Sequence, residues 1–113
     1  MLTRRPAHDD DDGTPLACDL TALSPAERDA HTALARDLFT TALQATTELP
    51  DGYAFQFAAD AYPRIAAFVA SERRCCPFLT FTVSVPPHQS SIWLRLTGSA
   101  RVKAFVQTTF DQR

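Results

Sequence analysis

Between Ser24 and Gly52 the apolar residues Leu34, Leu38, Ala42 and Leu43, with Phe39 beside them, recur at three- and four-residue spacing. That is the period of a helix burying one stripe. Ser24-Pro25-Ala26-Glu27 has the form of a capping box, with proline at the first helical position, where its missing N–H costs nothing. Pro50-Asp51-Gly52 ends the run, so the pattern predicts a first helix from Pro25 to Thr47. The period then changes. Tyr53, Phe55 and Phe57 alternate with Ala54, Gln56 and Ala58, which predicts a strand with one aromatic face turned inward. From Tyr62 to Arg74 the helical period returns in Ile65, Phe68 and Val69; Glu72 and Cys76 continue the stripe, and Pro77 stops it. Leu79, Phe81, Val83 and Val85 alternate with polar residues, as do Ile92, Leu94 and Leu96 beyond the turn Pro86-Pro87-His88-Gln89, which reads as a hairpin. After Gly98-Ser99, a last helix carries Val102, Phe105, Val106 and Phe110 on one face.

The predicted order is therefore helix, strand, helix, strand, strand, helix. This is an α+β fold in which a three-stranded sheet is packed with helices. Residues 1–15 hold Pro6, the run Asp9 to Asp12, Gly13 and Pro15, a composition too polar to pack. They are expected to be a disordered acidic tail, with residues 16–113 as one α+β domain. The aspartates lack the alternating ligands and turn glycine of a calcium loop.

At 113 residues the chain has the length of one ordinary domain, and 45% hydrophobic with 21% charged residues is globular composition. A formal net charge of −2 offers no basic field, which disfavours nucleic acid and anionic membranes as partners. No apolar run approaches the roughly 20 residues of a spanning helix, and the N-terminus lacks the apolar region of a secretion signal. The expected location is the cytoplasm, where three cysteines are better read as thiols or metal ligands than as a disulfide framework.

Cys75 and Cys76 are adjacent, after Arg73-Arg74 and before Pro77. At a helix C-terminus the macrodipole opposes thiolate formation, and no C-x-x-C spacing is present, so a thioredoxin-like reading is weak. Consecutive Cα atoms, about 3.8 Å apart, are too close for an ordinary disulfide, so the pair is expected as two thiols. A turn at Pro77 would aim both at one soft ion, and Cys18, in the apolar segment Leu16 to Leu20, is the candidate third ligand. Cys18, Cys75 and Cys76 together would suit Cu(I), Hg(II) or As(III). Zn(II) would need a fourth ligand, for which His31 is a candidate, although a lone helical histidine is more often structural. His88 and His8 read as solvent-exposed. Glu72, on the apolar stripe, needs a partner: a neighbouring arginine first, a ligand or proton-transfer role second. Packing is the competing account of all three cysteines.

The stretch Glu72-Arg73-Arg74-Cys75-Cys76-Pro77-Phe78-Leu79-Thr80-Phe81 resembles the signature E-R-x-C-C-P-F-x-x-F of a family of small uncharacterised bacterial proteins. Cys18-Asp19-Leu20, the Gly-Tyr-x-Phe-x-Phe run at Gly52 to Phe57, and the Leu-x-Leu-Thr-Gly run at Leu94 to Gly98 extend the likeness over residues 16–106. Gly98-Ser99-Ala100 departs from it where a second glycine or a proline is expected. The resemblance implies a joint role for the three cysteines and fits a cytoplasmic bacterial protein; it assigns no reaction.

The leading expectation is a buffer, carrier or sensor of a soft metal or metalloid ion. A thiol redox protein is the alternative, as is a module that forms a homodimer through its sheet or aromatic face. For the latter, Trp93 alternates out of phase with Ile92 and Leu94 and so faces away from the core. No phosphate loop, dinucleotide fingerprint, nucleophile–base pair or His-Glu metal motif is present, so the chain reads as non-enzymatic rather than catalytic.

Overall fold

The computed structural model describes residues 16–88 and 90–110; the expected acidic tail lies outside the described residues. Helix α1 (Pro25–Asp37) starts where the capping box predicts. Ser24 Oγ accepts from the Glu27 N–H at 3.1 Å, and Glu27 Oε1 accepts from the Ser24 N–H at 2.8 Å. The helix stops ten residues before Thr47, the end that its stripe predicts. Leu38–Ala42 widens into a single π turn, in which the Thr40 and Thr41 hydroxyls donate back to the Arg36 and Asp37 carbonyls at 2.7 Å. Such back-bonding loosens a helix. Leu43–Leu49 is then a strand, β1.

The sheet has four strands, not three. β1 and β2 (Gly52–Ala58) form a hairpin around Pro50-Asp51, and β3 (Thr80–Ser84) and β4 (Ser91–Thr97) form the hairpin that the alternation predicts. All neighbours are antiparallel, in the order β1-β2-β4-β3. β1 is an edge strand whose residues from Gln44 to Glu48 are all exposed. With neither face buried it has no reason to alternate, and Leu43, at its start, extends the stripe of the preceding helix instead. What holds β1 is backbone pairing to β2, together with β-branched Thr46 and Thr47. Gly52 is required at the hairpin because a Cβ there would collide with the Leu96 carbonyl oxygen on β4.

Helices α2 (Tyr62–Cys75) and α3 (Ala100–Phe110) complete the fold. Tyr53, Phe55 and Phe57 of β2 and Ile92, Leu94 and Leu96 of β4 share one buried cluster with Ile65 and Phe68 of α2 and Val102, Val106 and Phe110 of α3. The Phe39 ring, in the π turn, lies 5.2 Å from Phe55, 5.4 Å from Phe57, 5.7 Å from Phe68 and 5.1 Å from Phe110 between centroids. The π turn is thus the place where α1, the sheet and both other helices meet. On the opposite face Trp93 pairs across to Gln56 and Ser84 and is half-buried, out of phase with the core residues beside it. Among the described residues, no helix is long and apolar enough to cross a membrane.

Candidate functional site

A helix leaves its last carbonyls without partners. At the end of α2 one of these is supplied from far away in sequence: the Asp19 N–H donates to the Cys75 carbonyl at 2.7 Å. Asp19 also caps a short 3-10 turn, Leu20–Ala22, by accepting from the Thr21 N–H at 3.0 Å. Arg74 reaches over the same segment, donating to the Ala22 carbonyl at 3.0 Å and pairing with Glu27 Oε2 at 3.1 Å. The Ser24 backbone N–H, first, and the Arg74 guanidinium, second, hold the Glu27 carboxyl below its ordinary value. The segment before α1 is therefore fastened to the tip of α2, and this brings Cys18 to the adjacent cysteines.

Cys18 and Cys76 are joined by a disulfide, with Cα atoms 4.6 Å apart. The expectation of three thiols is corrected at this pair. Neighbours in sequence remain unbonded, but the backbone bond at Asp19 holds Cys18 within disulfide range of Cys76. Cys75 lies outside the disulfide, its Sγ 3.8 Å from Cys76 Sγ and 3.5 Å from the Glu72 carbonyl oxygen. The three sulfurs lie within 4.8 Å of one another; Cys75 and Cys76 are buried and Cys18 is half-buried. All three sequence-selected site residues are thus brought together.

Glu72 is 2% exposed, and its partner is not an arginine. His31 Nε2, from α1, sits 2.6 Å from Glu72 Oε1, while Cys76 Sγ lies 3.5 Å from Glu72 Oε2. The imidazole is itself buried and stacks on Phe68 with centroids 5.3 Å apart. Its other nitrogen, Nδ1, is buried with no hydrogen-bond partner among the described residues. His31, Glu72 and Cys75 form a second donor set of nitrogen, oxygen and sulfur that overlaps the first through Cys75. Sequence reasoning considers His31 and Glu72 separately and misses the pair. The available signal is that His31 precedes Ala35 by four residues and Leu38 by seven, which puts it on the buried stripe of α1.

A cleft of about 580 Å³ opens beside these groups. Cys18, Cys75, His31 and Glu72 line it together with Leu16, Ala17, Leu20, Ala35 and Phe105, and with Thr32, Arg36, Thr40 and Thr109. Cys76 is not part of its wall. In comparisons with known proteins, no family model, no curated protein and no solved structure matches the chain.

Proposed function

We propose that the reduced protein binds a thiophilic metal or metalloid ion through Cys18, Cys75 and Cys76. The observation that carries this reading is the convergence of three sulfurs from two distant parts of the chain, within 4.8 Å of one another and largely shielded from water. Three thiolates suit soft ions of low coordination number such as Cu(I), Hg(II) and As(III). Zn(II), with its preference for four ligands, could draw on the nearby His31–Glu72 pair. Disulfide and ion site use the same sulfurs of Cys18 and Cys76, so oxidation and ion binding exclude each other.

The test is native mass spectrometry of the anaerobically reduced protein with each of these ions, beside a Cys18→Ser/Cys75→Ser/Cys76→Ser variant. Stoichiometric binding that survives a competing chelator and vanishes in the variant is the expected result. Equal retention by both proteins would overturn the reading.

A second reading is thiol–disulfide exchange, favoured by the Cys18–Cys76 bond lying beside a third sulfur at 3.8 Å. The Cys75 thiolate would attack the Cys18 sulfur, forming a Cys18–Cys75 bond and expelling Cys76 as a thiolate, since a bond to its neighbour Cys76 is disfavoured. Here the expected result is a Cys75→Ser protein whose disulfide forms normally but exchanges with an external thiol at a clearly altered rate. An unchanged rate would dispose of this alternative.

A further inference from the structure

An ion needs only the sulfurs, yet two of the three also form part of the wall of a cleft far larger than any ion. Its volume of about 580 Å³ falls within the roughly 300–1,000 Å³ span of small-molecule pockets. Leu16, Leu20, Ala35 and Phe105 give it apolar walls. His31 lines the same space and carries a buried nitrogen with no partner among the described residues. Cys18 and Cys75 stand in the wall and Cys76 does not, although Cys75 and Cys76 are equally buried, at 1% and 0% exposure.

That arrangement separates two coordination modes. A trivalent arsenic atom forms three bonds. As a bare ion it would take all three sulfurs, but with one carbon substituent it needs only two thiolates and must place the carbon group somewhere dry. Building on the thiol-site reading above, we propose that the ligand class of this site is a monosubstituted organic arsenic(III) compound, bound to Cys18 and Cys75 with its organic group in the apolar cleft. The step is a ligand exchange without electron transfer. An R–As(OH)₂ molecule and two thiols form two As–S bonds, break two As–O bonds and release two waters, each hydroxyl leaving with one thiol proton. Opening the Cys18–Cys76 bond beforehand requires a reductant. A phosphine serves, taking oxygen from water to become the phosphine oxide as both sulfurs become thiols.

The experiment uses the full chain, reduced with a water-soluble phosphine that is then removed, and titrated anaerobically with arsenite, methylarsonous acid and phenylarsonous acid. Thr32 and Thr109 line the cleft outside the buried core, so Thr32→Trp and Thr109→Trp fill it without disturbing the thiols. Circular dichroism checks that both variants fold. The expected result is a phenyl-over-methyl preference of about tenfold or more in the wild-type protein, as burial of a ring-sized apolar group provides. At least one tryptophan variant should reduce that preference to about threefold or less while arsenite affinity stays the same. If every protein binds arsenite but the preference is absent, or persists undiminished in both variants, the cleft assignment is overturned and the thiol site stands. If no arsenical binds the wild-type chain, the thiol reading fails and this inference falls with it.

Discussion

Glu72 and His31 are buried at the edge of the cleft, and each is the other's closest polar partner. Removing one partner of such a pair leaves a buried polar group without its hydrogen bond, a change that typically costs about 1–3 kcal/mol. Glu72→Ala is expected to lower stability by about that much in urea denaturation. The double change His31→Leu/Glu72→Met should recover most of the loss, because matched apolar groups leave nothing unpaired. A single variant as stable as the wild type would show that the pair carries no weight in folding. Glu27 gives a different expectation, on the surface. Its carboxyl titrates below the ordinary value in the folded state, so its stabilising contribution is present above the unfolded-state value and is lost as pH falls through the folded one. The urea midpoint of Glu27→Gln should accordingly lie below that of the wild type at neutral pH, and the gap should close in acid. A gap independent of pH would mean that neither the Ser24 N–H nor the Arg74 guanidinium favours the ionised Glu27 carboxyl in the folded state.

At the scale of elements, what the sequence reveals depends on how one-sided the burial is. α2, α3 and β4 each bury one face, so Ile65 and Phe68, Val102 and Val106, and Ile92, Leu94 and Leu96 repeat at the periods expected, whereas β3 keeps its alternation with Phe81 half-buried and Val83 exposed. β1 buries neither face, so its residues carry no period, and Leu43 lends itself to the helix before it. A Pro-Asp-Gly turn read as a helix stop was in fact the bend of a hairpin. The same turn offers a test. Gly→Ala in a compatible backbone is a change worth about 0.4–1 kcal/mol in favour of folding, and where the added carbon has no room the cost exceeds that gain. Gly52→Ala is expected to destabilise the protein and to speed amide exchange along β1 and β2, since the new Cβ meets the Leu96 carbonyl. Wild-type exchange rates in that variant would mean that the hairpin shifts to make room.

Across the whole molecule, the cysteines show where reading the chain alone gives out. Adjacency before a proline marks Cys75 and Cys76, and an apolar setting marks Cys18, but what brings them together is a backbone bond from Asp19 to the tip of α2, 56 positions along the chain. Nothing local encodes that, and the cleft beside the sulfurs, built from both ends of the chain's described part, is equally invisible. The disulfide spans 58 positions, and closing a loop of that size stabilises a fold by up to about 4 kcal/mol through the unfolded state. The oxidised protein should therefore withstand more urea than the reduced one. Equal midpoints would show that reduced Cys18 and Cys76 lose nothing that the backbone contacts do not already supply. Those contacts have their own consequence. Because the Asp19–Cys75 peptide bond pairing and the Arg74 clasp do not involve sulfur, opening the disulfide leaves Cys18 tethered beside its former partner, at an effective concentration on the order of millimolar or above. When an external thiol opens the bond and stays on one cysteine as a mixed disulfide, the tethered partner thiolate re-forms the Cys18–Cys76 bond by expelling that thiol, an intramolecular step that outpaces attack by a second dilute thiol.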